Sequence, residues 1–314
     1  QRFYGGRLLI MTEDRGEPDV ITAWRTVLGH HARGAFNPRE IETIRREVLP
    51  SLPCEQAEIG IISPYNEQVN ALHRELGEGI DVATVHKFQG REKEAIILST
   101  VDDQITAFTD DPNLLNVAVS RAKRQFTLVT SSNEQPDSRD IADLLAYIDY
   151  NGGKITESTI HSVFDMLYEP YAEARREFLK RHRRISEFDS ENLIYALLEQ
   201  VLEAEPAFRY LGVLCHQPLR QLIRDWTLLN DEERRYASNG ATHLDFLIYN
   251  RVSKRPVLAI ETDGYQFHKQ GTRQSERDRM KDRILDRYAL PLLRLSTTGT
   301  DEEAKIKDQL SKIV

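Results

Sequence analysis

The stretch AEIGIISPYNEQVNALHREL, residues 57–76, decides the fold of the first half of the chain. It joins a short apolar run, typical of a buried strand, to a polar stretch typical of a helix. Two more apolar runs follow at residues 94–101 and 126–131, and a helical pattern precedes them at residues 37–49. Strands that alternate with helices predict a parallel, doubly wound α/β sheet.

The pattern changes after this region, and it predicts three parts. Residues 1–150 form the α/β domain, and residues 151–187 form a helical linker that carries a basic cluster, RREFLKRHRR, at residues 175–184. Residues 188–314 form a smaller α+β domain, in which one helix comes before a series of strands. The basic cluster either guides a nucleic-acid strand through phosphate contacts or is a solvated helix face, since glutamates are interleaved with the arginines.

Composition bounds the function only loosely. A chain of 314 residues with 40% hydrophobic residues can build two or three domains, each with its own core. The formal net charge of −8 provides no global attraction for nucleic acid, so such binding must come from local patches. Cys54 and Cys215 cannot form a disulfide framework, which fits a cytoplasmic protein, and no apolar run approaches the ~20 residues needed to cross a membrane.

Three stretches of the first domain resemble motifs IV, V and VI of superfamily 1 helicases, in the branch with the nonsense-mediated-decay and Dna2-type enzymes. They are IISPYNEQVNAL at 61–72, TVHKFQGRE at 84–92 and NVAVSRAK at 116–123. The resemblance implies a RecA-like lobe that binds ATP and DNA. It places Tyr65 and Gln68 near the base of the nucleotide.

The same resemblance assigns roles to the residues of the second and third motifs. It places Gln89 and Gly90 near the phosphates, Glu92 near the ribose, and Thr84 and His86 at the nucleic-acid backbone. Arg121 matches the arginine finger, which stabilises the transferred phosphoryl group. We expect Arg121 at the start of a helix, where the helix dipole disfavours a cation. This makes it less favoured that Arg121 merely solvates the helix end.

Half of an ATP site is missing from the sequence. No G-x-x-x-x-G-K-[ST] phosphate loop is present, nor the acidic strand that binds magnesium in the first motor domain. FYGGRL, at residues 3–8, resembles the segment that follows that first domain. We therefore expect this chain to be the C-terminal piece of a longer protein, with a first helicase lobe as its partner.

A set of carboxylates marks the last domain. Glu261 and Asp263 end the apolar run PVLAIETD at 256–263, and residues i and i+2 of a strand share one face. Asp245 lies in the preceding run, HLDFLIYN at 243–250, joined by a hairpin-like loop. Pairing of the two strands is expected to bring three carboxylates together, which repel unless Mg²⁺ or Mn²⁺ binds or arginines, such as Arg273 or Arg294, neutralise them.

This arrangement resembles the PD-(D/E)XK restriction-endonuclease-like superfamily, near the very-short-patch-repair enzymes. The resemblance covers about residues 188–314 and makes Asp245 and Glu261 metal ligands with Asp263 assisting. Glu191 matches a further acid on the first helix. The family usually has a lysine where Asp263 stands, so the lysine function must come from elsewhere.

Lys281 is the predicted substitute for this lysine. At about 100° per residue, Gln274, Asp278, Lys281 and Leu285 form one stripe of the helix that follows the acidic strand. Gln274 would orient Lys281 or the substrate, and His268 is the rival for the proton-handling role. Lys281 is otherwise a side chain that snorkels at the edge of an apolar face.

Together these patterns predict the C-terminal part of a helicase fused to a metal-dependent DNA endonuclease, acting in repair or anti-phage defence. DNA, single-stranded or duplex, is favoured over RNA, and no membrane partner is expected. The rival hypothesis is a degenerate nuclease fold that binds DNA without cutting it.

Overall fold

The fold was analysed in a computed structural model, which describes residues 20–263 and 273–313, with the side chains of residues 273–275 excepted. The chain divides into two compact units, residues 1–160 and 161–314. Residues 151–187, predicted as a linker, are therefore shared between the two units. Among the described residues, no helix is long and apolar enough to cross a membrane.

The first unit is built on a parallel six-stranded sheet, as the alternating pattern predicts, in the order β3-β2-β4-β5-β1-β6. Its strands are β1 Val20–Thr26, β2 Ile59–Ser63, β3 Asp81–Thr84, β4 Lys93–Ser99, β5 Ala122–Ser131 and β6 Ile155–Glu157. Its helices are α1 Pro38–Thr43, α2 Leu49–Ser51, α3 Asn66–Leu76, α4 Val85–Phe88, α5 Pro112–Ser120 and α6 Asp140–Tyr150, with a π-helical segment, Ile44–Val48, between α1 and α2.

Helices cover both faces of this sheet, and the two cores follow from the alternation of side chains along β4. Ile96 and Leu98 pack with residues of α5 and α6. Ala95 and Ile97 point to the other face and pack with residues of α1 and α3. A strand buried on both faces is apolar at every position, which is typical of a parallel sheet.

Strand β6 corrects the prediction of a purely helical linker. It adds to the edge of the first sheet, parallel to β1, with Ala23 opposite Ile155. Only three residues long and without a fully buried side chain, it carries too weak a periodic pattern to be found from sequence.

The second unit has a four-stranded mixed sheet in the order β10-β9-β8-β7. Its strands are β7 Leu211–Pro218, β8 His243–Asn250, β9 Pro256–Asp263 and β10 Leu292–Ser296. Its helices are α7 Ala172–Lys180, α8 Asp189–Ala204, α9 Asp231–Ser238, α10 Arg273–Arg287 and α11 Glu302–Ser311. Strands β7, β8 and β9 are antiparallel neighbours, whereas β9 and β10 are parallel. This is the predicted second α+β domain.

Two helical layers enclose this sheet. Helices α8 and α11 pack on one face, against Phe246, Ile248 and Ile260. Helix α10 packs on the other face, where its Ile284 and Leu285 join Ala259 of β9 in a second core. Because Glu261 is two residues beyond Ala259, it points to the α10 side of the sheet.

Candidate functional site

An open pocket of about 470 Å³ lies in the second unit where β8 and β9 meet α10. Acidic side chains from four elements line it, together with basic, amide and aromatic groups. The lining residues include Glu191, Tyr236, Asn239, Thr242, His243, Asp245, Glu261, Asp263, Arg277, Asp278 and Lys281.

The centre of the pocket is a buried ion pair between Glu261 and Lys281. Lys281 Nζ lies 2.6 Å from Glu261 Oε2, and the residues are only 8% and 6% exposed. Lys281 also donates a hydrogen bond to the backbone oxygen of His243, at 2.9 Å. The helix stripe therefore brings Lys281 to the acidic strand, whereas its function stays a prediction.

Asp245 lies beside this pair on the neighbouring strand. Its Oδ2 accepts a hydrogen bond from the Thr262 amide at 2.8 Å, and its own amide is 3.4 Å from Glu261 Oε1. Burial raises the pKa of Asp245, and the charge of Glu191 raises it further. Burial also raises the pKa of Glu261, to about 7, against the ammonium of Lys281, which lowers it. Burial and mutual repulsion thus make the paired carboxylates costly to keep charged.

Asp263 does not join the other two carboxylates as an unpaired third acid. Its Oδ1 lies 3.2 Å from Arg294 Nη1, and the same guanidinium reaches Asp282 at 2.7 Å. Arg294 lies on the parallel strand β10, directly opposite Glu261. The three carboxylates line one pocket, and Arg294 neutralises Asp263, which is one of the alternatives that the sequence leaves open.

The donor set fits a hard divalent cation in chemistry, although the described residues contain no group of three or more His, Cys, Asp or Glu side chains arranged to hold a metal. Asp245 and Glu261 supply adjacent carboxylates, and Glu191 lines the same pocket from α8. Oxygen-only ligands suit Mg²⁺ or Mn²⁺. Asp245 and Glu261, which lie side by side, are the carboxylates that would contact such an ion, and Glu191 reaches the same pocket.

Two predicted site residues cannot be placed. His268 lies outside the described residues, and so does the side chain of Gln274, whose backbone belongs to the first turn of α10. His243 and Tyr236, by contrast, line the pocket without having been predicted. Burial raises the pKa of Tyr236 to about 12, and the nearby charge of Glu261 adds to this effect. The i, i+2 rule that relates Glu261 to Asp263 also relates His243 to Asp245, so His243 had a detectable signal.

In the first unit, Arg121 is at the end of a helix, which corrects its predicted place at a helix start. It follows the last residue of α5 and directly precedes β5, and its guanidinium hydrogen-bonds Ser120 Oγ at 3.1 and 3.3 Å. A helix C-terminus attracts cations, so the dipole argument against a simple solvation role is reversed. The arginine-finger assignment consequently rests on the motif resemblance alone.

The base contacts predicted for Tyr65 and Gln68 stay predictions. Gln68 is fully buried, and its amide group hydrogen-bonds the Asn37 backbone amide and Ser99 Oγ. Tyr65, whose hydroxyl donates to Asp102 at 2.9 Å, follows the carboxyl end of β2, whereas Arg121 precedes the amino end of β5. The two residues therefore lie at opposite edges of the sheet, about 20 Å apart at ~3.3 Å per residue of strand.

The remaining motif residues fall on both edges of the sheet. Thr84 ends β3 and is 7% exposed, and His86 follows it on α4 with an exposed side chain. Gln89, Gly90 and Glu92 form an exposed connection to β4. The Lys93 amide donates to the backbone oxygen of Arg121 at 3.1 Å, so Glu92 lies near Arg121 in the described structure.

The sequence suggests that the basic cluster lies on one helix. The structure differs, because α7 ends at Lys180. Arg183 and Arg184 lie in the next connection, yet they line one groove of about 710 Å³ with Arg175, Arg176 and Lys180. Arg175 pairs with Asp189 at 3.0 Å, whereas Arg176 and Arg183 are exposed at the groove.

Comparison with known proteins separates the two units. The family model described as an AAA domain matches residues 23–133. An uncharacterised ATP-dependent helicase of Methanocaldococcus jannaschii is 39% identical over 101 residues, which cover 31% of this chain and 15% of that protein. The regulator of nonsense transcripts 1 of Dictyostelium discoideum is 43% identical over 105 residues, 29% of this chain and 8% of that protein. Over this span the first unit is similar to these helicases.

A further relative matches the first unit over a span of similar length. The DNA polymerase alpha-associated DNA helicase A of Saccharomyces cerevisiae is 39% identical over 114 residues, 33% of this chain and 16% of that protein. The chain thus spans less than a fifth of the length of these relatives. The second unit matches, over residues 188–313, a family described as a protein of unknown function, DUF2726.

Proposed function

We propose that this chain is part of a helicase-nuclease whose second unit hydrolyses phosphodiester bonds of DNA with Mg²⁺ or Mn²⁺. The observation that carries the proposal is the Glu261–Lys281 pair, 2.6 Å apart and next to Asp245 in an open pocket. A nuclease of this type needs adjacent carboxylates and a cation at one place, and here they come from two strands and a helix.

Five residues of the pocket have a definite task in this proposal. Asp245 and Glu261 hold the metal with Glu191, and the bound ion would activate water and stabilise the developing oxyanion. Lys281 has three N–H donors, of which Glu261 and the His243 carbonyl take two. The third donor is available to orient the attacking water or a phosphate oxygen. Asp263 lines the same pocket and assists the other two acids, with its own charge balanced by Arg294.

The helicase lobe would contribute ATP-dependent unwinding of nucleic acid, together with a first motor lobe that supplies the phosphate loop. Arg121 would stabilise the transferred phosphoryl group, with Gly90, Gln89 and Glu92 at the nucleotide, while Thr84 and His86 contact the nucleic-acid backbone. One relative is named a DNA helicase, which supports DNA over RNA as the substrate. Unwinding coupled to cutting suits DNA repair or defence against phage DNA.

The test is cleavage of labelled single-stranded and duplex DNA by the purified chain during titration with MnCl₂ or MgCl₂. Asp245→Asn and Glu261→Gln should each abolish cleavage and weaken manganese binding. Asp286→Asn is the matched control, since Asp286 is an exposed carboxylate of the same unit that does not line the pocket. Full cleavage in chelator, or wild-type rates in the first two variants, would refute the proposal.

The second candidate is a DNA-binding module with a degenerate nuclease fold. The Asp263–Arg294 pair favours it, because it removes one carboxylate from the possible metal ligands. This candidate predicts that the chain binds DNA with equal affinity in chelator and in manganese, and that it leaves the DNA uncut in both.

A further inference from the structure

His216 interrupts strand β7 with an unusual backbone conformation. Its φ angle is 49°, in the left-handed region that residues other than glycine adopt with strain. The strand pairs regularly on both sides, with Cys215 opposite Phe246 and Gln217 opposite Leu244. The register therefore places His216 opposite Asp245. Strain of this kind persists where the surrounding structure enforces it, and it often marks a functional position.

The left-handed residue directs its side chain to Glu191. His216 Nε2 lies 2.9 Å from Glu191 Oε2, and the Glu191 side chain is only 18% exposed. The His216 ring meets the ring of His243 edge to face, with centroids 5.5 Å apart and an interplanar angle of 85°. Imidazole packing and the hydrogen bond together fix the ring.

Glu191 and His243 both line the pocket, whereas His216 is not among the residues that line it. His216 thus stands behind the carboxylate that reaches the pocket from α8. One oxygen of Glu191 is held by the imidazole, so the other is directed by the same contact. A bond of this type selects one carboxylate rotamer out of several. The entropy cost of fixing that side chain is then no longer part of the free energy of ligand binding.

We propose that His216 is a positioning residue: its left-handed backbone and its hydrogen bond hold Glu191 in the orientation in which that carboxylate binds the divalent cation. The proposal rests on the proposed metal-dependent function of the pocket and assigns His216 no contact with substrate. It accounts for a strained conformation at a strand position that is opposite Asp245 and hydrogen-bonds Glu191 of α8.

Three substitutions separate the hydrogen bond from the backbone. His216→Asn suits the left-handed conformation but is too short to reach Glu191. His216→Gly relieves the strain and removes the side chain. His216→Gln keeps an N–H donor at similar reach. The first measurement is the thermal midpoint of unfolding of the full chain. The second is the dissociation constant for Mn²⁺, which is obtained from the electron paramagnetic resonance signal of the free ion, with the metal as the only ligand added.

We expect the Asn and Gly variants to bind Mn²⁺ about 10–100-fold more weakly, as for other residues that orient a metal ligand. The Gly variant should nevertheless melt at the wild-type temperature or above it. The Gln variant should remain within about threefold of the wild type, because the donor is restored.

Glu191→Gln is the reference variant. Because His216 acts through Glu191, adding His216→Asn to it should weaken manganese binding no further. The inference is overturned if the Asn variant binds manganese like the wild type, if Gln loses as much as Asn, if the double variant shows the product of both effects, or if Glu191→Gln has no effect. Failure of the proposed function looks different: the wild-type chain itself would neither bind manganese nor cut DNA.

Discussion

Replacement of Lys281 by methionine separates folding from chemistry in the second unit. Methionine keeps the bulk of the side chain, but it leaves Glu261 buried at 6% exposure without the ammonium 2.6 Å away. Removal of one partner of a buried ion pair costs about 3–5 kcal/mol, because the remaining charge has lost its water and its counter-ion. For a unit of this size the melting temperature should fall by about 10 °C.

Two further variants give this prediction its controls. Lys312→Met breaks an exposed ion pair with Asp308, in which the lysine side chain is 61% exposed, and should cost under about 1 kcal/mol. The double variant Lys281→Met, Glu261→Gln removes both charges and should recover most of the stability, since a neutral pair leaves no buried ion. Its cleavage of DNA should stay lost.

The assay is thermal unfolding with and without MnCl₂, with cleavage measured on the same preparations. Trp24 and Trp226, the two tryptophans of the chain, lie one in each unit, so Trp24→Phe leaves Trp226 as a fluorescent reporter of the second unit. Manganese should raise the melting temperature of Lys281→Met more than that of the wild type, because the ion replaces the missing positive charge. Cleavage should fall at least about 10²-fold. A variant that melts and cuts like the wild type would refute both the structural and the catalytic role of Lys281.

Three other predictions concern the remaining charged groups. In the complete protein, Arg121→Ala should slow ATP hydrolysis by about 10³-fold with nucleotide binding retained, while this chain alone should hydrolyse no ATP in a phosphate-release assay. Arg176→Glu and Arg183→Glu should weaken DNA binding uniformly across sequences and lower the slope of log affinity against log salt by about one per contact, and an unchanged slope would reduce the groove to a solvated face. Burial raises the pKa of Glu40 from 4.5 to about 8. The first unit should therefore lose a few kcal/mol of its free energy of unfolding as the pH rises through this window, because the folded state binds the proton more tightly. Urea titrations of Glu40→Gln should show a flatter dependence of this free energy on pH.

The hydrophobic periodicity of the sequence was sufficient to predict strands β8 and β9 and the orientation of α10 in the second unit. The apolar runs at 243–250 and 256–263 coincide with β8 and β9 as the structure has them. The 100° rotation per residue placed Lys281 on the face of α10 that packs on the sheet. Both patterns arise from local geometry and burial, which the order of residues encodes directly.

Contacts between distant segments were not encoded in this way. Arg294 neutralises Asp263 only because β10 returns parallel to β9, and His216 meets Glu191 only because β7 packs under α8. The end of α5 at Ser120 was misplaced for a similar reason. Ala, Arg and Lys all favour helices, but in Arg121-Ala-Lys the chain pairs with β4 and becomes a strand.

Because Lys281 comes from a helix, the geometry of the pocket depends on how α10 packs on the sheet. In the nuclease motif that the sequence of this unit resembles, the lysine is expected on the same strand as the glutamate, where its position follows from the strand alone. Here the ammonium comes from α10 and bonds both the β9 carboxylate and the backbone oxygen of His243 on β8. The distance between the carboxylates and the cation is therefore set by the packing of Ile284 and Leu285 on the sheet. Truncation of Ile284 to alanine removes part of this packing about one helical turn from Lys281. It should raise the activation free energy of cleavage by more than it lowers the free energy of unfolding, and equal changes in the two free energies would show that the packing of α10 does not control the site.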